Sequence, residues 1–283
     1  MKSHAQGVLH EGSLKSTLGP IGQALTAVFN FATDTVTIGE LEARKLHHDF
    51  TELLTRAVQP ALWLLIFGEV LQRIKAIPTG NISYMDFMTP GILAQSVLFI
   101  AIFYGIAVIW ERDLGIVHKF LACPAPRSAL ILGKALSASE RGLSQALIVY
   151  LLALLVGVHV NWSLPAVLGV VLVVILGSAL FSTFSLIIAC IVRTRERFMG
   201  IGQLLTMPLF FASNAIYPIS IMPEWLQAVS RVNPLTYEVD ALRPLMVVGG
   251  GSIYGLTVDL IALVLGMVIF VIIAAKLYPR VAM

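Results

Sequence analysis

Residues 164–192 read LPAVLGVVLVVILGSALFSTFSLIIACIV. No charged side chain interrupts them until Arg193. A bilayer hydrocarbon core about 30 Å thick is crossed by roughly 20 apolar residues at a helical rise of about 1.5 Å each, so this run is long enough to span it. A water-soluble helix apolar on every face would need a large polar protein around it. The rest of the chain does not supply one. Of 283 residues, 58% are hydrophobic and 12% charged, against roughly 45–50% and about 25% in ordinary globular domains. So few charges cannot build a water-facing surface, and a disordered chain would need the opposite balance. Two cysteines, Cys123 and Cys190, do not make a disulfide framework.

Working outward from this run, five more stretches have the same character: about Ala57–Leu71, Phe87–Trp110, Ala129–Val158, Phe198–Ile216 and Tyr254–Lys276. The sequence therefore reads as an all-α polytopic membrane protein with six transmembrane helices. Its expected organisation is an N-terminal cytoplasmic segment (1–36), an amphipathic interfacial helix (37–56) and a six-span domain (57–283). In the second of these, Leu46, Phe50, Leu53 and Ala57 share one helical face, which suits a helix lying on the membrane surface; a solvated helix start is the plainer reading. The weak apolar stretch Leu18–Ala32 is not a cleaved signal.

Basic residues set the orientation. Arg112, Lys119, Arg127 and Lys134 follow the second span, Arg193, Arg195 and Arg197 follow the fourth, and Lys276 and Arg280 lie in the tail. The opposite side holds fewer. The excess puts both termini in the cytoplasm and both cysteines near the reducing side, as free thiols.

Two segments are too patterned for simple loops. Trp110–Leu121 reads as a short cytoplasmic helix, with Glu111 and Asp113 favoured in its first turn and Cys123-Pro124-Ala125-Pro126 ending it. A rigid projection of this kind is a handle for a partner. The outer stretch Tyr217–Arg243, broken by Pro218, Pro223 and Pro234, is too interrupted to span and too apolar for a solvated loop. Re-entrant or interfacial helices between the fifth and sixth spans fit it, their irregular backbone shielded by protein.

Catalytic chemistry is not legible. Gly133-Lys134 is followed by Ala135 and lacks the earlier glycine of a phosphate-binding loop. No His-Glu-x-x-His sequence is present for zinc, and His47-His48 reads as a solvated pair. Ser178, in Gly177-Ser178-Ala179, reads as a small packing residue. Membrane-embedded charges stand out more, because they are expensive at depth. Glu140 and Arg141 are expected on a transport path or dimer contact, or else near the cytoplasmic end, bonded to Lys134 or Glu111. Glu69 is a cavity or an interface residue, and Asp259 marks the outer edge of the last span. Phe99, Phe103, Met207, Phe210 and Phe211 could line an apolar substrate cavity, or serve as packing and lipid contacts.

The chain resembles the type 2 permeases of ATP-binding-cassette (ABC) exporters, including the bacterial drug-resistance and nodulation-factor branches. The resemblance rests on Glu111-Arg112, Gly115, Leu121, Pro124, Arg127 and Gly133-Lys134, then on Tyr217-Pro218, Pro223, Trp225, Asn233-Pro234-Leu235-Thr236-Tyr237 and Leu242-Arg243. It covers about Phe50 to the carboxyl end; Asn214 stands where the family often has glycine. It implies a transport permease of the bacterial inner membrane that is not itself an enzyme. Such a subunit pairs with a second permease, often an identical copy, and with two cytoplasmic ATPase subunits that carry the ATP and magnesium. It exports an amphiphilic or hydrophobic cargo (drug, lipid, glycolipid or saccharide). It further implies ATPase coupling through Glu111, Arg112, Asp113, Gly115, Lys119 and Arg127, and more loosely through Glu42, Arg44 and Lys45. The implied substrate path lies between the second and fifth spans, toward Asn214. The implied outer cap comprises Tyr217, Pro218, Pro223, Trp225, Asn233 and Pro234. The rival reading is an ion-driven secondary transporter with Glu69, Glu140 and Asp259 as proton relays; no repeat between the halves supports it.

Overall fold

A computed structural model describes residues 57–278 except 75–76, 81, 117–126 and 193, together with Thr33 and Thr37. The amphipathic-helix reading, with Glu42, Arg44 and Lys45, lies outside the described residues, as do Lys119, Cys123 and the Arg127 side chain. The described residues are helical, with no strand beyond an isolated antiparallel bridge between Val160 and Val247.

A first helical run, 57–74, contains a π-helical turn at Trp63–Gly68 and continues as α1 (Glu69–Ile74). The following helices are α2 (Tyr84–Asp113), α3 (Arg127–Val156), α4 (Leu164–Ile191) and α5 (Arg195–Phe211). A 3₁₀ turn (Ile219–Ile221) leads into α6 (Glu224–Val232), α7 (Pro234–Met246) and α8 (Leu256–Leu277). Among the described residues, four helices are long and apolar enough to cross a membrane: α2, α3, α4 and α8. At 17 residues α5 reaches only about 26 Å, short of a bilayer core. The first run is interrupted by its π turn.

The ends are chosen by local chemistry. Ser83 caps α2 by accepting from the Asp86 backbone N–H at 3.1 Å. The other end of α2 runs three residues beyond the expected border at Trp110, so Trp110–Asp113 continue the span instead of opening a separate helix. Leu114 closes it, and Gly115 takes φ +69°, the left-handed geometry that suits a glycine after a helix. Thr194 caps α5, and Pro165 sits in the first turn of α4, where its missing N–H costs nothing. The expected fifth span ends early: α5 stops at Phe211 and residues 212–217 turn.

α4 is the hub, packed against α2, α3, α7 and α8. It can be so because small residues let helices approach: a Cβ on Gly142 of α3 would strike the Ser178 hydroxyl, and one on Gly177 would strike the Glu238 carboxyl. The Ser185 hydroxyl donates across to the Ile102 carbonyl of α2. The main core runs through α2, α3, α4 and α7, with a smaller cluster of Val108, Ile131, Leu186, Phe198 and Tyr278 at the far end of α2. α8, by contrast, exposes Val258, Ile261, Leu265, Val268 and Ile272, the surface a lipid-facing helix presents.

Candidate functional site

The predicted site residues fall at the two opposite ends of α2, about 45 Å apart at a 1.5 Å rise over 30 residues.

At the Asp113 end, the last turn of α2 is locked to its neighbours. Glu111 is buried and accepts from Lys134 Nζ at 2.6 Å, which joins α2 to the start of α3. Asp113 accepts from Arg195 Nη2 at 2.8 Å, and the Arg195 guanidinium lies 3.5 Å over the Trp110 ring, so both contacts join α2 to the start of α5. Arg112 bonds Asp113 and reaches toward the Val192 carbonyl, where α4 ends. Four helix ends thus share one knot of charges. Gly115, just past it, has open space where a Cβ would stand. Glu111, Arg112, Asp113 and Gly115 are neighbours at the end of α2; the sequence named Trp110 and Lys134 near them, but not the pairing of Asp113 with Arg195.

Deeper along the bundle, Arg141 lies near the middle of α3 with its guanidinium 4.9 Å over the Tyr104 ring of α2. Glu140 is half-buried beside it. Glu69 is exposed, paired with Arg73 one helical turn on at 3.0 Å. Phe99 and Phe103 touch each other on α2, centroids 4.5 Å apart, and Phe103 lies close to Gly202 of α5. Met207 and Phe211 are exposed on α5. Phe210 and Asn214 are fully buried inside the chain, Phe210 against the Trp63 ring.

At the Tyr84 end, the proline-rich segment is pinned rather than loose. Asn233 caps α7 by accepting from the Leu235 N–H at 3.0 Å, and its Nδ2 donates to the Leu209 and Ala212 carbonyls at the end of α5. Pro234 opens α7, Pro218 precedes the 3₁₀ turn and Pro223 precedes α6. The Tyr217 hydroxyl donates to the Phe211 carbonyl. Trp225 is 68% exposed on α6, in an apolar stripe with Val229 and Val232. The irregular turn after α5 approaches α2 so closely that a Cβ on Gly91 would collide with the Ala215 carbonyl.

Two residues at this end carried no individual role in the sequence reading. Asp240, fully buried, accepts on Oδ2 from Ser252 Oγ, Ile253 N and Tyr254 N at 2.7–2.9 Å and on Oδ1 from Asn214 Nδ2 at 3.2 Å. It ties α7 to the loop before α8. Glu238, also fully buried, has no hydrogen-bond partner on either oxygen. Burial pushes its carboxyl well above the ordinary value. Arg243, the resemblance's last residue, donates from Nη2 to the Asn214 carbonyl at 2.7 Å and lies 4.0 Å over the Phe87 ring. Burial lowers it to about 10 against the opposing pull of Asp240, so it keeps its charge at neutral pH. Among the described residues, no group of three or more His, Cys, Asp or Glu side chains could hold a metal.

The arrangement has one cluster of charges fastening helix ends and, at the Tyr84 end, a lattice of caps. The family model described as "ABC-2 type transporter" matches residues 36–247. The chain is 28% identical over 195 residues to a putative transport permease, ycf38, of Cyanophora paradoxa, covering 68% of this chain and 66% of that one. It is 26% identical to the daunorubicin resistance ABC transporter permease protein DrrB1 of Streptomyces coeruleorubidus, over 70% of both chains. It is 24% identical to the inner membrane transport permease YadH of Escherichia coli K12, over 74% of this chain and 82% of that one. The chain spans just under two thirds of the length of the ycf38 relatives it matches. On the strength of a family model that fits three quarters of its length, the chain belongs to the ABC-2 type transporters.

Proposed function

We propose that this chain is the transmembrane subunit of an ABC exporter that moves an amphiphilic or hydrophobic cargo out of the cytoplasm. It works as a six-span unit paired with a second permease, an identical copy, in a bacterial inner membrane. Both termini and the Asp113 end face the cytoplasm. ATP and magnesium are bound and turned over on two separate ATPase subunits.

The knot at the end of α2 carries this reading. A push delivered near Gly115 is transmitted through Glu111–Lys134 to α3 and through Asp113–Arg195 to α5. Three helices then move as one body. ATP-bound and free ATPase pairs shift the permease between states only if they prefer different arrangements of that body. The family assignment and the name of the Streptomyces relative support a drug-like cargo. Met207 and Phe211, exposed on α5, are the apolar contacts we assign to the path between the two permeases, with Phe99 and Phe103 behind them.

The test is transport by the reconstituted permease–ATPase complex. Replacing Arg112→Ala and Gly115→Asn together should cut ATP-driven efflux of an amphiphilic dye about tenfold, within the usual size of a coupling free energy, with the chain's melting temperature retained, since asparagine tolerates the left-handed backbone at that position. Unchanged efflux and unchanged dye-stimulated ATP hydrolysis would refute the handle. The chain alone in liposomes should move no dye under a proton gradient; efflux there would favour the ion-driven alternative.

A further inference from the structure

At the Tyr84 end a cavity of about 280 Å³ opens between the loop after α1, the first turn of α2 and the loop before α8. Its walls include Thr79, Ile82, Phe87, Pro218, Gly251 and Arg243. Among the described residues lining it, Arg243 is the only charged one, and it is 3% exposed. Its guanidinium has donors to spare. Nη2 is used on the Asn214 carbonyl, but Nη1 is 3.9 Å from Asp240 Oδ1, too far for a hydrogen bond, and Nε has no partner. Asp240 cannot absorb them, because its oxygens already accept from Asn214, Ser252, Ile253 and Tyr254. Asp259, the other acid nearby, accepts from the same Ser252 hydroxyl and does not line the cavity. The Thr79 hydroxyl is spent on the Ile82 carbonyl.

A buried cation with idle N–H groups on a cavity wall calls for an anionic acceptor. Size and setting narrow the choice. The cavity is smaller than the roughly 300–1,000 Å³ of drug-sized sites, so it suits a headgroup rather than a whole cargo molecule. It lies at the end of α2 and beside Ile253, three residues before α8 begins its long apolar exposed face of Val258, Ile261 and Leu265. Acyl chains attached to a headgroup in the cavity would find that face next to them. The geometry points to a site for the phosphate of an anionic membrane lipid, held by Arg243, with its tails along α8. The site is independent of the export reading and holds a bound lipid, not the transported cargo.

The experiment is native mass spectrometry of the delipidated full chain with phosphatidylglycerol, with diacylglycerol of the same tails, and with inorganic phosphate. One phosphatidylglycerol per chain should be retained about tenfold better than diacylglycerol, the preference that a charge-assisted hydrogen bond provides. Arg243→Gln should abolish that preference. Because Arg243 is buried, Gly251→Phe supplies an independent arm: Gly251 lines the cavity and nothing stands within 4 Å of a Cβ there, so a ring at its mouth displaces no neighbour and leaves the Arg243 bonds in place. It should lower phosphatidylglycerol retention to the diacylglycerol level at an unchanged melting temperature. Retention unaltered by Gly251→Phe, or diacylglycerol held equally well, would overturn the site. Inorganic phosphate that occupies it while phosphatidylglycerol does not would overturn the lipid assignment in favour of a free anion.

Discussion

Lys134 and Glu111 show what a single residue contributes here. Each is buried, and the opposite charge 2.6 Å away offsets much of the cost of burying it. Removing one partner takes that compensation away, so Lys134→Met should destabilise the purified chain by about 3 kcal/mol, read as a loss of melting temperature in detergent. Adding Glu111→Gln should restore at least half, since removing both charges removes the desolvation cost as well; a double variant no better than the single would contradict the pairing. The sequence showed both residues but not their bond. It offered Glu140 and Arg141 as partners for them, whereas Arg141 stacks on Tyr104. Which side chains meet across two antiparallel helices depends on how each is rotated, and no residue in the sequence displays that. Glu238 was hidden for another reason. It sits inside the Asn233–Arg243 stretch, which drew attention as a pattern of turn and cap residues, and its burial comes from Gly177 on a distant helix.

Among the helices, the legible ones are those with an unbroken apolar run between sharp stops. The fourth span was expected at 164–192 and α4 occupies Leu164–Ile191; the last was expected at 254–276 and α8 occupies Leu256–Leu277. Where the run bends, composition alone misleads. Residues 212–216 fall within the expected fifth span, yet they turn: Ser213 and Asn214 interrupt the apolar run, and the Ser213 hydroxyl accepts from the Ala215 N–H at 3.3 Å. The π turn at Trp63–Gly68 is silent in the sequence. In the proline-rich segment Asn233-Pro234 was a readable signal, and it became a cap that also holds the end of α5. Asn233→Ala should cost about 1–2 kcal/mol for the cap, with a further loss from the two freed carbonyls. Asn233→Asp keeps an acceptor for Leu235 and loses both donors, so its melting temperature should fall between wild type and Asn233→Ala. Equal melting of all three proteins would show that the cap holds nothing.

For the whole molecule, the helices sort the chain's chemistry by end. The knot of Glu111, Asp113, Lys134 and Arg195 lies at one end of α2, and the caps, the Asp240 lattice and the Arg243 cavity at the other. We propose from the arginine and lysine counts in the connecting segments that the first end faces the cytoplasm, where an ATPase could reach it. The exporter reading depends on that assignment. Its most direct check is labelling by a membrane-impermeant maleimide, on a Cys123→Ser, Cys190→Ala background, of the full chain carrying Leu114→Cys or Gly251→Cys. Leu114 is 68% exposed beside the knot, and Gly251 has open space around it at the other end. Leu114→Cys should react only in inside-out vesicles and Gly251→Cys only in intact cells; reaction of Leu114→Cys from outside intact cells would put the handle on the wrong side of the membrane and contradict the account.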